Sequence, residues 1–233
     1  MKKYIPLFFI ISILFSCSLK APKPFPLNQE QAEIIYRLNL RNTNLKTAKG
    51  FAKIEIREVK KKPISARCAF AYLLPDTIRI ILTNDFNMPI INIISNGKDF
   101  LFHDLQEDKK YTKKIKKNDV IAGLPVNITN LLTLMSGNAD IRSENIKKYI
   151  SKNKEDIIIL KNNTRITVDK KDISIIKIEE KIRSIEIKDY KKTGDYLLPY
   201  KIIATEPEKN TTVTIEKYQT NVKLNNTIFN TAD

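Results

Sequence analysis

Tryptophan is absent from this 233-residue chain, histidine occurs once, cysteine twice and glycine only five times, and each scarcity removes a class of chemistry. The lone His103 cannot build a metal site, because a structural or catalytic zinc needs several nitrogen or sulfur ligands and no Cys/His cluster accompanies it. So few glycines leave neither a phosphate-cradling loop nor a Gly-x-Ser-x-Gly elbow. The Asp and Glu residues are scattered among lysines, and no carboxylate pair stands out. The expectation is a protein that is not an enzyme and has no cofactor and no metal.

Long apolar runs are also missing, with one exception. Ile5 to Phe15 is almost wholly apolar and follows Met1-Lys2-Lys3-Tyr4, a short positive start. Spanning a bilayer takes roughly 20 apolar residues, so this run has the length of a signal-peptide core instead. It ends in Leu14-Phe15-Ser16-Cys17, which resembles the bacterial lipobox. That resemblance implies residues 1–16 as a lipoprotein signal peptide, cleavage after Ser16 and acylation of Cys17. Ser18 follows, and the absence of Asp there points to the outer membrane. Residues 17–27 then form a proline-rich tether, Ser-Leu-Lys-Ala-Pro-Lys-Pro-Phe-Pro over 18–26, which in extended geometry reaches roughly 30 Å. Residues 28–233 remain as one domain. With Cys17 acylated, Cys68 has no partner for a disulfide; its place in an alternating strand reads as a small buried hydrophobe.

Positive charge predominates. The net charge is +15, or +13 once Lys2 and Lys3 leave with the leader. Such a balance suits nucleic acid, anionic lipid or an acidic partner. Export removes nucleic acid from that set. The abundance of Lys, Ile and Asn equally fits the base composition of a genome.

Periodicity predicts a helix over Asn28–Leu40, with Asn28 and Gln31 in capping-box spacing and Ile34, Ile35 and Leu38 as its apolar stripe. Strands then dominate: 51–57, 66–74, 77–83, 89–95, 99–103, 156–160, 164–169, 173–178, 182–188, 200–205 and 211–217. Turn signals such as Asn96-Gly97 and Thr193-Gly194-Asp195 separate many of them. In the middle, Ile128, Leu131, Leu132 and Met135 repeat as one helical face after Pro125 and Asn127, and Gly137 is a natural stop. Many short strands in series with few helices imply an antiparallel sheet curled into a barrel or sandwich.

Several segments together carry a family resemblance. Leu45-Lys-Thr-Ala-Lys-Gly50-Phe-Ala-Lys-Ile-Glu-Ile is similar to an entering helix end and first strand, and Ile78-Arg-Ile-Ile-Leu-Thr83-Asn84 to the strand that runs into a protruding loop. Tyr111-Thr-Lys, Gly123-Leu-Pro125-Val and Leu131-Leu-Thr-Leu-Met-Ser-Gly137 resemble a segment of central helices, and Asn221 to Phe229 a closing segment. The family is that of LolB-type outer-membrane lipoprotein receptors, in the LolA/LolB superfamily. Two features depart from it: the loop Asn84-Asp85-Phe86-Asn87-Met88-Pro89 lacks the usual flanking Pro and Gly, and there is no Trp for a cavity.

The resemblance implies a mainly β fold: an incomplete antiparallel barrel, helices capping one end, and a hydrophobic cavity. Ile54, Ile56, Phe70, Ile78, Ile80, Leu82, Val213 and Ile215, on apolar faces of alternating strands, are expected to line that cavity. Ile128, Leu131, Leu132 and Met135 would cover it as a helical lid. Phe86 and Met88 would form a membrane-insertion loop. The implied function is to accept acylated lipoproteins from a LolA-like periplasmic carrier and release them into the outer membrane. A triacylated cargo exposes on the order of 40 methylenes, roughly 30 kcal/mol against water, so a shielding pocket is obligatory. Two other readings stay open: a lipid-binding or sensing module of the same fold with another cargo, and a structural lipoprotein whose filled barrel docks onto an envelope complex.

Overall fold

The computed structural model describes residues 23–115 and 128–231. The leader, Cys17, the tether as far as residue 22, and Gly123, Pro125 and Asn127 lie outside the described residues. Helix α1 (Gln29–Leu40) begins at the expected cap. Asn28 Oδ1 accepts from the Gln31 amide at 2.9 Å, and Gln31 Oε1 accepts from the Asn28 amide at 3.2 Å, which satisfies two end donors reciprocally. Ile34, Ile35 and Leu38 are its buried residues.

Six strands follow as a meander: β1 (Thr47–Glu58), β2 (Ile64–Leu73), β3 (Thr77–Thr83), β4 (Pro89–Asn96), β5 (Asp99–Asp104) and β6 (Lys109–Lys114). After helix α2 (Ile128–Ser136) comes a second meander: β7 (Ile146–Ser151), β8 (Glu155–Leu160), β9 (Arg165–Asp169), β10 (Ser174–Glu179), β11 (Ser184–Thr193), β12 (Tyr196–Glu206) and β13 (Lys209–Thr220). These described strands make one antiparallel sheet in the order β6-β5-β4-β3-β2-β1-β13-β12-β11-β10-β9-β8-β7. The first strand pairs with the last, from Ala48↔Thr220 to Glu58↔Lys209. The sheet is open, not closed into a barrel, and its edges are the mid-chain strands β6 and β7. Register shifts at Phe51/Ala52, Leu82/Thr83 and Ile175/Lys177 mark bulges, which bend and twist the strands that carry them.

Both edge strands depart from the sequence expectation. Lys109–Lys114 and Ile146–Ser151 were not anticipated as strands, and Tyr111-Thr-Lys, likened to helical segments, pairs with β5 through Phe102↔Tyr111. Lysine-rich edges of this kind blunt edge-to-edge association, and they erase the apolar alternation by which a strand is recognised.

One face of the sheet, the inner one, packs against α1 and α2. Its core holds Ala48, Phe70, Tyr72, Ile78 and Ile80 from the first meander and Ile158, Val168, Ile187, Leu198 and Ile215 from the second. The outer face has a smaller cluster of Ile94, Leu101 and Phe229, where the chain after β13 crosses back over β3 and β4. No described helix is long and apolar enough to cross a membrane.

Candidate functional site

Alternation along each strand decides which side chains share the inner face, and the register then brings them together. Across β3, β2, β1 and β13 the aligned residues include Leu82↔Cys68↔Ala52↔Ile215 and Ile80↔Phe70↔Gly50↔Tyr218. Phe70, Ile78, Ile80, Val213 and Ile215 are buried in one core cluster, with Ile54 and Leu82 half-buried against it. Ile56 shares their face, level with Thr211 and Ile64, but it is half-buried and outside the cluster. Seven of these eight side chains therefore belong to, or pack against, one core cluster.

Helix α2 lies on this face beside β12. Leu131, Leu132 and Met135 are buried in the core cluster, as is Leu134, which the periodicity did not single out. The side chain of Ile128 lies outside the described residues. The C-terminal end of α2 is held firmly. Gly137 adopts φ +65°, its amide donates to Leu134, and the Asn138 amide reaches back to Thr133, the double bond of a Schellman stop. Asn42 Nδ2 donates to the Ser136 carbonyl at 2.8 Å, and the buried Tyr218 hydroxyl donates to the Met135 carbonyl at 3.0 Å.

Tyr218 also centres an aromatic group. Its ring meets Phe70 edge-on at 5.5 Å and Tyr200 edge-on at 5.4 Å, and Phe70 stacks with Tyr72 at 6.2 Å. Gly50 makes room for this packing: a Cβ there would sit 2.7 Å from the Phe70 ring and 1.9 Å from the Lys217 carbonyl oxygen. Burial pushes the Tyr72 and Tyr218 hydroxyls well above the usual tyrosine range, so both stay neutral. The Tyr72 hydroxyl is fully buried without a hydrogen-bond partner. Cys68 is buried as expected, and that burial raises its thiol to about 12, which leaves it an inert hydrophobe. His103 Nε2 lies 2.9 Å from Asp108 Oδ1 in an exposed hairpin, and no described group of His, Cys, Asp and Glu has the geometry to hold a metal.

Phe86 and Met88 sit at the tip of the β3–β4 hairpin, 83% and 56% exposed. Asn84 builds this tip: its Oδ1 accepts from the amides of Phe86 and Met88, both at 3.0 Å, and its own amide donates to the Met88 carbonyl. The Asn at each bend, with Asn87 at φ +59°, does the work that Pro and Gly do elsewhere. These two residues are not alone. Val59 and Ile64 on the β1–β2 hairpin, Leu105 after β5 and Ile182 between β10 and β11 are also exposed, all at the same end of the strands. Lysines and arginine flank them: Lys60, Lys61 and Lys62 in the first hairpin, Lys181 and Arg183 in the last. The sequence reading missed these companions, because each is a single apolar residue in a polar turn and only topology gathers them. The N-terminal segment reaches the same end. The Phe25 amide donates to the Ser143 carbonyl, and the Asn145 carbonyl accepts from Lys161 in the β8–β9 turn.

Comparison with known proteins speaks to the fold. No family model matches this sequence, and no curated protein matches it. Among solved structures, an outer membrane lipoprotein-sorting protein domain from Vibrio parahaemolyticus is similar over 85% of this chain and 95% of that one, with TM-score 0.61 and 12% identity. A LolA superfamily protein from Nitrosomonas europaea matches over 85% and 96%, with TM-score 0.60 and 10% identity. A DUF1329 family protein from Desulfovibrio piger matches over 86% and 95%, with TM-score 0.63 and 10% identity. The chain thus shares its overall fold with these structures.

Proposed function

We propose that this chain is a lipid-anchored envelope protein that binds the acyl chains of lipoproteins on its inner face and releases them into the outer membrane. It would receive them from a LolA-like soluble carrier and catalyse no covalent step. One observation carries the reading: the apolar inner face is covered by two short helices, α1 and α2, and by no further described strand. In the closed state Leu132 and Ile78 are fully buried, so acyl chains enter as α2 lifts about its pinned C-terminal end. The exposed tips give the molecule a face for the bilayer. Inserting Phe86 and Met88 contributes roughly 3–5 kcal/mol, enough to orient the domain though too little to anchor it. Anchoring falls to Cys17, and the segment from Cys17 joins the fold at the tip end.

The test is a transfer assay with acylated cargo on a soluble carrier and lipid vesicles as acceptor. Wild type moves cargo into vesicles; Phe86→Glu takes up cargo and stalls release. Folded protein that never associates with cargo overturns the reading. The full burial of Tyr72, Ile78 and Leu132 favours a second reading, a filled domain that docks or senses in the envelope. In that case a fluorescent fatty acid finds no inner site.

A further inference from the structure

The outer face, opposite the helices, carries a hollow of about 500 Å³. Register explains its shape. On β2 the outward residues are Ala69 and Ala71; Ala69 lies between Phe51 and Ile81, and Ala71 lies between Lys49 and Arg79. Short side chains between long ones leave a trough across the sheet. The chain beyond β13 roofs it. Thr47 Oγ1 donates to the Val222 carbonyl at 2.7 Å, and Arg79 Nη1 donates to the Ile228 carbonyl at 3.4 Å. Leu224 and Ile228 thereby form the second wall.

The two rows of this trough differ in character. The row through Ala69 is apolar, with Phe51 left 54% exposed at its end. The row through Ala71 runs between two cations, and Lys217 and Lys223 add two more at the rim. Among the described residues no carboxylate lines the hollow. Elsewhere on the sheet lysines are matched by glutamates, as in Lys53–Glu55, Lys177–Glu179 and Lys188–Glu186. Arg79 is held in place by Asn92, whose Oδ1 accepts from Nε at 2.9 Å. The volume falls within the roughly 300–1,000 Å³ of small-molecule pockets. A neutral apolar ligand leaves the cations unused, and a compact polyanion leaves Phe51, Ile81 and Leu224 in water.

We propose that this outer hollow binds an amphiphile with one acyl chain and an anionic head, carboxylate or phosphate. The chain lies over Ala69 between Phe51 and Ile81, and the head sits over Ala71 between Lys49 and Arg79. The site is separate from the inner face and stands whether or not that face carries cargo.

The full chain is titrated with dansyl-undecanoate below its micellar concentration, and a diazirine-bearing palmitate is photo-crosslinked and mapped residue by residue. One saturable site is expected, displaced by dodecanoate and dodecyl phosphate but not by neutral dodecyl maltoside. Ala69→Phe fills the trough and weakens binding by about tenfold or more, equivalent to at least 1.4 kcal/mol. Lys49→Glu, at an exposed position that the fold does not use, weakens it at low salt and less at high salt. Crosslinks fall on the stretch around Phe51, on Ala69 and on Leu224. Crosslinks confined to inner residues such as Leu131, equal displacement by dodecyl maltoside, or binding indifferent to both substitutions overturns the proposal. Retained circular dichroism in each variant keeps misfolding apart from loss of the site.

Discussion

The two ends of the strands are built to opposite rules. At one end the turns are short and polar: Asp76, Gly97-Lys98, Lys152–Lys154 and Gly194-Asp195. Helix α1 is tied to that end through Arg41, whose guanidinium donates to the carbonyls of Ile173 at 2.6 Å and Asp172 at 2.9 Å. At the other end Val59, Ile64, Phe86, Met88, Leu105 and Ile182 stand in water. Polar atoms close one rim of the sheet, while large apolar side chains are left unsatisfied on the other. These are the side chains on which the proposed membrane contact rests.

The largest effect tests the apolar rim. Phe86→Glu with Met88→Glu is expected to lower vesicle affinity by about 3–5 kcal/mol while leaving the unfolding midpoint within about 0.5 kcal/mol of wild type. Flotation and urea unfolding of the same sample read both numbers, and a large loss of stability would show that the tip is structural. The polar rim has its own weak point. Asp156 is fully buried, with Ser151 Oγ at 2.7 Å and Lys170 Nζ at 3.4 Å. Lys170→Met strands that carboxylate and should destabilise by about 2–3 kcal/mol, at the low end for buried pairs because Lys170 is partly exposed. Adding Asp156→Leu to the same protein should recover much of the loss.

Smaller effects refine the contrast. Tyr218→Phe leaves the Met135 carbonyl unpaired, costs about 1–3 kcal/mol, and should speed hydrogen exchange in α2 before the strands. Unchanged α2 exchange would mean that the helix is not held from this end. Lys60→Glu and Lys62→Glu should each reduce binding to anionic vesicles by about 1 kcal/mol, an effect erased at high salt and absent on neutral vesicles. Least of all, Cys68 should resist maleimide at pH 8 until the protein is unfolded, since its folded thiol stays protonated to about 12.

How much of this was legible depended on locality. The α1 capping box, the Leu131, Leu132 and Met135 part of the α2 stripe and the Gly137 stop are written in neighbouring residues, and the structure has them. The same holds for the central strands, whose alternation reflects one buried face. The edges were missed because Lys109–Lys114 and Ile146–Ser151 answer to aggregation avoidance and bury little. Leu134 escaped because α2 is buried on more than the stripe facing the sheet. The rim of Val59, Ile64 and Ile182 and the trough over Ala69 depend on which strands become neighbours, and no local window contains that information.

The pairing of β1 with β13 has a consequence for how the molecule comes into being. Each meander forms hairpin by hairpin, yet the seam between them joins residues more than 150 positions apart, as in Glu58↔Lys209. Until β13 arrives, one side of β1 presents unpaired backbone donors and acceptors along its length. Of the described strands, the one synthesised last is thus the one that completes the sheet, and such long-range closure is slow. A chain truncated before Lys209 would hold two half-sheets with adhesive flanks, and its fate would be self-association rather than a smaller version of the domain.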